Sequence, residues 1–204
     1  ISMQLYPDGD CAKLKKALGS SYGLAPENFI FGNGSDEVLL FIAGAYVNPG
    51  NKVLISKVTF SEYEFSARLF GATPIYVPVK NNCYDLPAFQ KALSKKPKIV
   101  YLCNPNNPTG TIFSTKALKE FLRKVPSTTL IVIDEAYYEY VENKDYPETL
   151  ELLKSFPNII ILRTFSKIYG LAGLRIGYGI SSKEVIAVMN KAREPFNVNR
   201  LAQS

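Results

Sequence analysis

Short apolar runs recur along the chain, and they restrict its fold more than any other feature. Residues 130–133 and 159–162 carry only aliphatic side chains, and residues 99–103 are almost as apolar. Most of these runs end in a polar loop that leads into residues spaced like one face of a helix. Strands that are apolar at every position are typical of parallel sheets covered on both faces. The alternation therefore predicts an α/β domain with a mostly parallel central sheet.

The same patterns locate the individual strands and helices. Strands are predicted at residues 29–31, 52–55, 73–77, 98–103, 130–133, 159–162 and 176–180. Helices are predicted around the apolar positions of residues 12–18, 38–43, 65–70, 86–93, 118–122 and 185–189. Several helices begin beside a residue that can cap them, namely Asp8 or Asp10, Ser35 or Asp36, Asp85, and Ser182.

Composition removes several classes of function. The sequence has no histidine, which excludes Ser-His and Cys-His nucleophile pairs within it. Its three cysteines are far apart, which argues against a zinc site or a disulfide framework and indicates a reducing compartment, so we expect a cytoplasmic protein. The net charge of +6 forms no basic stripe with interleaved aromatic residues, and nucleic-acid binding is not expected. No apolar run approaches the length of a membrane span.

One lysine, Lys167, follows the predicted strand at residues 159–162 in a loop of small and polar residues. Loops at strand ends are where α/β proteins hold reactive groups. A lysine is a useful nucleophile when its amine can lose a proton, and a partly buried site with a nearby cation such as Arg175 favours this loss. We therefore hypothesise that Lys167 forms a Schiff base with an aldehyde cofactor. The alternative is an ordinary solvated loop lysine.

Other segments carry residues that suit the same ligand. Residues 34–35 precede a predicted helix whose N-terminus would attract an anion, and the Asn- and Pro-rich residues 104–110 form a polar loop after a strand. Asp134 follows an apolar run directly and needs a partner, such as a protonated ring nitrogen. Tyr137 could bind the same ligand, and Tyr63 could stack on a planar ring. The structural alternatives are an ordinary helix cap, a plain turn, a structural ion pair and packing aromatic residues.

Taken in order, these segments resemble the large domain of the class I and II aminotransferases, which are fold-type I pyridoxal-phosphate enzymes. The resemblance is carried by residues 6–8, 32–37, 104–110, 134–137, 165–167 and 170–178. Each motif is weak alone, but their common order is specific for the superfamily. The Tyr-Pro-Asp and Gly-Ser-Asp-Glu motifs are most similar to the histidinol-phosphate aminotransferase branch. The resemblance implies a three-layer α/β/α fold.

The resemblance also implies roles for individual residues. Lys167 would hold pyridoxal 5′-phosphate and, once freed, move a proton from the substrate's α-carbon to the cofactor. Asp134 would keep the ring nitrogen protonated, Tyr137 and Asn107 would bind the ring oxygen, and Tyr63 would stack on the ring. The remaining cofactor-binding residues would be Gly34, Ser35, Asp36, Thr164, Ser166 and Arg175, with Ser35, Asp36, Ser166 and Arg175 on the phosphate. Tyr6 would reach the cofactor phosphate of a neighbouring subunit, which implies a homodimer.

The implied activity is amino transfer between histidinol phosphate and glutamate or 2-oxoglutarate in histidine biosynthesis. Residues 1–192 would form the cofactor-binding large domain without the family's N-terminal arm. Residues 193–204 would begin the link to a small C-terminal domain, which supplies the family's substrate-binding arginine. Arg200 does not replace that arginine, because it lies in the link. The alternatives are a threonine-phosphate decarboxylase-like enzyme and a non-catalytic, cofactor-binding regulatory domain.

Overall fold

The predicted strands form one mixed sheet in the computed structural model, which describes residues 4–204. The strands are β1 (Phe29–Asn33), β2 (Lys52–Ser56), β3 (Thr73–Val77), β4 (Ile99–Cys103), β5 (Leu130–Asp134), β6 (Ile159–Thr164) and β7 (Ile176–Ser181). Their order across the sheet is β1-β7-β6-β5-β4-β2-β3. Every predicted strand is present, because an apolar run of this length is stable only when it is covered on both faces. Residues 1–3 of the predicted large domain lie outside the described residues.

The sheet is mostly parallel, as the sequence predicts. Strands β2 to β6 pair with one another in parallel, whereas β7 is antiparallel to both β6 and β1. The segment between β6 and β7 contains only the short 3₁₀ turn Ala172–Leu174, where a parallel connection would need a crossover helix. Strand β7 therefore returns antiparallel, and its amino end lies beside the carboxyl ends of β6 and β1.

Helices cover both faces of this sheet. They are α1 (Ala12–Tyr22), α2 (Ser35–Tyr46), α3 (Glu62–Leu69), α4 (Leu86–Ala92), α5 (Thr115–Leu122), α6 (Thr149–Leu152) and α7 (Lys183–Met189), with further 3₁₀ turns at Pro26–Asn28, Leu93–Lys95 and Tyr138–Tyr140. Helix α2 packs against α3 and α7, and α4 packs against α5. Right-handed crossovers place α3 on the face opposite α4 and α5, because the chain reverses direction across the sheet after β3. The expected α/β fold is confirmed.

Three of the four predicted helix starts have a predicted residue that accepts a hydrogen bond from the helix, and one does not. Asp85 accepts a hydrogen bond from the Ala88 amide at 3.0 Å, and Ser182 accepts one from the Val185 amide at 3.4 Å. At α2, however, Gly34 is the N-cap, and the predicted caps Ser35 and Asp36 are the first helical residues. At α1, Asp8 Oδ2 accepts a hydrogen bond from the Ala12 amide at 2.8 Å, while Cys11 occupies the position before the helix without a side-chain cap. Gly34 and Cys11, the residues directly before these two helices, both have a positive φ angle.

The carboxyl edge of the sheet is held rigidly. Strands β4, β5 and β6 are buried at every position, so the loops that leave them start from fixed points. Among residues 4–204, no helix is long and apolar enough to cross a membrane. Within the same residues, no three His, Cys, Asp or Glu side chains are grouped so that they could hold a metal ion.

Candidate active site

A cavity of about 300 Å³ opens at the carboxyl edge of the sheet. Its walls come from the β1–α2 turn, the loop after β2, the ends of β4 and β5, and the segment between β6 and β7. The lining residues are Ser35, Asp36, Phe60, Cys103, Asn107, Asp134, Ala136, Tyr137, Thr164, Ser166, Lys167, Ala172 and Arg175. Segments that are far apart in the sequence thus meet at one place, which is where open α/β sheets bind ligands.

Most of the predicted site residues line this cavity. They are Ser35, Asp36, Asn107, Asp134, Tyr137, Thr164, Ser166, Lys167 and Arg175. Gly34 adjoins the cavity through its backbone, because it precedes Ser35 and donates a hydrogen bond to the Arg175 carbonyl at 3.0 Å. Tyr63 and Tyr6 do not line it.

The β1–α2 turn and Arg175 form one side of the cavity. Gly34 has a φ angle of 84°, and a Cβ atom at this position would collide with the Arg175 guanidinium group. Arg175 Nη2 also lies 3.1 Å from Asp36 Oδ2, in an ion pair whose two side chains are nearly half exposed. The free N–H groups at the start of α2 and the guanidinium group therefore face a common space. This arrangement suits a small, strongly charged anion such as phosphate.

Gly177 keeps this turn in place, and we predict that Gly177→Ala will disrupt it. A Cβ atom at position 177 would collide with the Ser35 amide nitrogen and the Gly34 carbonyl carbon, which are backbone atoms that cannot rotate away. The substitution should lower the free energy of unfolding by about 1–3 kcal/mol, the usual cost of overpacking. Urea denaturation of the purified protein measures this change.

Gly173→Ala is the matched control for that prediction. A Cβ atom at Gly173 has no neighbouring atom within 4 Å, so its effect should stay within about 0.5 kcal/mol. Equal unfolding midpoints for the two variants would show that Gly177 does not pack against the turn in this way.

Asp134 is the buried acid of the cavity. Its Oδ2 accepts a hydrogen bond from the Tyr63 hydroxyl at 2.6 Å, and its Oδ1 accepts one from the Ala136 amide at 3.0 Å. Burial raises the pKa of the Asp134 carboxyl group, while these hydrogen bonds and the Lys167 charge oppose the rise. A cation that entered the cavity beside this carboxylate would relieve the desolvation cost.

Asp134 and Glu135 are adjacent acids with different surroundings. Glu135 is fully buried, and its Oε2 accepts hydrogen bonds from Arg163 Nε at 3.0 Å and Nη2 at 2.8 Å. Thr149 donates to the other oxygen at 2.8 Å. The structural ion pair that was an alternative for Asp134 is therefore made by Glu135. Sequence reasoning missed this pair, although Arg163 in a buried strand was a signal that a buried acid should lie nearby.

Lys167 lies in the segment between β6 and β7 and lines the same cavity as Asp134. The Lys167 side chain is exposed, whereas the sequence predicted a partly buried amine. Its Nζ atom lies 5.2 Å from the centroid of the Tyr137 ring. Tyr137 and Asn107 border the same cavity, so an amine, a phenol and an amide converge on one space.

The structure corrects the role predicted for Tyr63. The Tyr63 ring is 0% exposed and stacks on Tyr101, with centroids 5.0 Å apart and an interplanar angle of 11°. It therefore has no free face for a ligand. Phe60, three residues earlier, lines the cavity instead and meets Tyr63 edge-on at 5.7 Å. Helical spacing could have indicated this, because Tyr63 and Ala67 lie on the buried face of α3.

The Asn- and Pro-rich loop is held by its own side chains. Asn106 Oδ1 accepts a hydrogen bond from Thr59 at 2.8 Å, and its Nδ2 donates to the Val58 carbonyl at 3.1 Å and to Thr109 Oγ1 at 2.9 Å. Asn106 thereby ties this loop to the segment that carries Phe60. Sequence reasoning singled out Asn107 but missed the supporting role of Asn106.

Tyr6 lies away from the cavity, next to the C-terminal segment. Its side chain is 79% exposed, and its ring centroid lies 5.0 Å from that of Phe196. Arg200 donates a hydrogen bond to the Tyr6 carbonyl at 3.0 Å and does not line the cavity. Residues 193–204 thus pack against the start of the described chain.

Comparisons with known proteins agree with this geometry. A model of the family described as aminotransferase class I and II matches residues 2–204. The chain is 52% identical over 200 residues to a histidinol-phosphate aminotransferase of Moorella thermoacetica. The matched region covers 98% of this chain and 52% of that protein. It is 50% identical over 203 residues to the histidinol-phosphate aminotransferase of Bacillus licheniformis, and this match covers 99% of this chain and 56% of that protein.

A solved structure is similar over the same region. It is the crystal structure of histidinol-phosphate aminotransferase from Sinorhizobium meliloti in complex with pyridoxal-5′-phosphate. The TM-score is 0.93 at 34% sequence identity, and the match covers 98% of this chain and 55% of that one. The chain therefore spans about half the length of the curated relatives it matches.

Proposed function

The chain belongs to the class I and II aminotransferases, and from this membership we propose that its cavity binds pyridoxal 5′-phosphate and that the full-length protein is an aminotransferase. The observation that carries the proposal is the convergence of Lys167, the buried Asp134 and the Gly34–Arg175 anion site on one cavity of about 300 Å³. A lysine amine, an acid and an anion site are the three groups that an aldehyde-bearing pyridine phosphate requires.

The residues of the cavity fit this cofactor. The backbone space at Gly34, which a Cβ atom would fill, leaves the helix N–H groups and Arg175 free to hold a phosphate beside Ser35 and Ser166. We assign Asp134 to the ring nitrogen, because a buried carboxylate needs a cationic partner. Asn107 and Tyr137 would hold the ring oxygen. Phe60, rather than Tyr63, would cover the ring face.

Lys167 would act both as a nucleophile and as a proton carrier. When bound, the cofactor supplies a conjugated ring that accepts the electron pair released at the substrate's α-carbon. The Lys167 amine would bond covalently to the cofactor aldehyde and, once displaced by the substrate amine, carry a proton from the α-carbon to the cofactor's C4′ atom. Asp134 would stabilise the charge of the ring nitrogen while this proton moves.

We propose histidinol phosphate and glutamate or 2-oxoglutarate as the substrates, and therefore a role in histidine biosynthesis. The support is the name shared by relatives that are 45–52% identical over almost the whole chain. The test is a panel of phosphorylated and unphosphorylated amino donors, offered with 2-oxoglutarate to the full-length protein while glutamate formation is measured.

We expect histidinol phosphate to be the fastest donor in that panel. Release of carbon dioxide without consumption of the oxo acid would support the threonine-phosphate decarboxylase alternative. Cofactor binding without turnover of any donor would support the non-catalytic regulatory domain. The variant Lys183→Ala serves as a control with unchanged rates, because the lysine is exposed and pairs with the exposed Glu27 at 3.7 Å.

We further propose that the full-length protein is a cytoplasmic homodimer in which Tyr6 reaches the partner's cofactor phosphate. The Tyr6 side chain, which is exposed and does not line the cavity of its own chain, supports this arrangement. The three free cysteines support a reducing compartment. Sedimentation equilibrium of the full-length protein would contradict the dimer if only the monomer mass were found.

A further inference from the structure

The hydroxyl group of Tyr63 makes the shortest contact to Asp134. The donor–acceptor distance from Tyr63 Oη to Asp134 Oδ2 is 2.6 Å, and both residues are buried. The other oxygen, Oδ1, accepts the Ala136 amide. Each carboxylate oxygen therefore has one fixed donor, and the carboxylate plane cannot rotate freely. Its remaining acceptor capacity faces the cavity that Asp134 lines.

Tyr63 is fixed in the role of donor. Burial, and then the neighbouring Asp134 charge, raise the pKa of its phenol far above the ordinary value, so the hydroxyl group keeps its proton. The Tyr63 ring stacks on Tyr101 and meets Phe60 edge-on. These contacts hold the ring, and therefore its hydroxyl group, in one orientation.

The charged side chains that also act on the Asp134 carboxyl are Asp36, which raises its pKa, and Lys167, which lowers it, and both line the cavity. Cys103, the partner of Asp134 across β4 and β5, and Tyr84 also lie near it, and burial raises the pKa of both, so they stay neutral.

We propose that Tyr63 is a positioning residue that holds the Asp134 carboxylate in its anionic form and aims it at the ring nitrogen of the cofactor. This inference rests on the proposed function, since it assigns Asp134 to that nitrogen. Tyr63 itself touches neither the cofactor nor the substrate.

The Asp134 carboxylate and the ring nitrogen of the cofactor would share one proton. When a carboxylate and a pyridine nitrogen share a proton, the proton stays on the more basic of the two. Burial makes the Asp134 carboxylate more basic, which draws the proton away from nitrogen. A hydrogen bond donated to the anionic form makes the carboxylate less basic and returns the proton to nitrogen. Tyr63 thus offsets the burial that excludes water from this part of the site.

The chain provides a matched control in Tyr101. Tyr101 stacks on Tyr63 and is equally buried, but its hydroxyl group has no hydrogen-bond partner within residues 4–204. Tyr63→Phe and Tyr101→Phe each remove one buried oxygen from the same aromatic pair. Only the first removes a donor to Asp134, so a purely structural role would give the two variants similar behaviour.

The experiment compares these two variants of the full-length protein with the parent protein. Without cofactor, carboxyl-¹³C aspartate labelling and NMR follow the Asp134 titration, and Asp134→Asn identifies its signal. We expect Tyr63→Phe to raise the pH of that titration by about one to two pH units, and Tyr101→Phe to leave it unchanged. With cofactor, the ¹⁵N chemical shift of labelled pyridoxal phosphate should move toward that of an unprotonated ring only in Tyr63→Phe.

Equal titrations and equal nitrogen shifts in Tyr63→Phe and the parent protein would overturn the inference. If Tyr63→Phe fails to fold, 3-fluorotyrosine at position 63 keeps the shape and makes a stronger donor, so the Asp134 titration must then move to lower pH. An unchanged titration with that residue also contradicts the role of Tyr63. If the parent protein binds no cofactor, the proposed function fails, whereas the cofactor-free titration still decides whether Tyr63 controls Asp134.

Discussion

Replacing Lys167 with alanine is expected to abolish amino transfer by the full-length protein, with kcat lowered by at least about 10⁴-fold. The variant loses both the amine that bonds to the cofactor aldehyde and the base that moves the α-proton. Because the side chain is exposed, the free energy of unfolding should change by less than about 0.5 kcal/mol. Single-turnover kinetics, visible absorbance and urea denaturation measure these quantities.

Lys167→Arg separates the charge of this residue from its reactivity. Arginine keeps a positive charge beside Tyr137 but cannot act as a nucleophile or base near neutral pH, so its rate should be as low as that of the alanine variant. Borohydride reduction followed by peptide mass analysis should label Lys167 in the parent protein and in Lys183→Ala. Labelling of a different lysine in the parent protein would show that Lys167 does not hold the cofactor.

Most of the fold could be predicted from the sequence because its apolar runs have few alternatives. Runs such as residues 130–133 and 159–162 can be buried only between two helical layers, and their loops mark the sheet edge. The reversed direction of β7 was not predicted. It depends on the absence of a crossover helix between β6 and β7, and the short 3₁₀ turn there has no distinctive apolar spacing.

The candidate site was predictable where a residue ends a strand or lies in the loop after it. Asp134 and Thr164 end β5 and β6, and Asn107 lies in the loop after β4, so the sheet brings all three to the cavity. The assignment of Tyr63 failed for a different reason. Phe60 lies in the loop before α3 and lines the cavity, whereas Tyr63 lies in the first turn of α3 on the buried face that it shares with Ala67. The helical spacing of Tyr63 and Ala67 was the signal that the prediction overlooked.

Hydrogen-bond partners were the least predictable part of the site. The Tyr63–Asp134 and Glu135–Arg163 contacts join segments that are distant in the sequence, and spacing along the chain carries no information about them. The acid pair at 134–135 was visible, but strand geometry sends the two side chains to opposite faces. Asp134 lines the cavity, whereas Glu135 forms a buried ion pair with Arg163. We therefore expect substitutions of the two acids to have opposite effects on stability.

Asp134→Asn is expected to lower kcat by about 10²–10³-fold while making the cofactor-free protein more stable at neutral pH. Asparagine cannot carry the charge that stabilises a protonated ring nitrogen, so the loss should fall on kcat more than on KM.

The free energy of unfolding of Asp134→Asn should rise at neutral pH, because burial raises the pKa of Asp134 in the folded state. A carboxyl group whose pKa is higher in the folded than in the unfolded protein contributes most to stability below its pKa in the unfolded protein, about 3.8. This contribution is lost as the pH rises through the pKa of the folded protein. Urea denaturation of the cofactor-free protein should therefore show an advantage for Asp134→Asn at pH 7 that shrinks on acidification.

The neighbouring variant Glu135→Gln is the matched comparison, and it should have the opposite effect on stability. Burial raises the pKa of the Glu135 carboxyl group as well, but Glu135, unlike Asp134, is paired with a buried cation. Removing its charge leaves Arg163, which is 3% exposed, without its anionic partner, and breaking such a pair costs about 3–5 kcal/mol. Although the two acids are similarly buried, we expect Asp134→Asn to raise the free energy of unfolding and Glu135→Gln to lower it. Loss of stability in both variants would show that Asp134 is already compensated without a ligand. In that case its charge would have no need of a cationic ring nitrogen, and the assignment of Asp134 to the cofactor would fail.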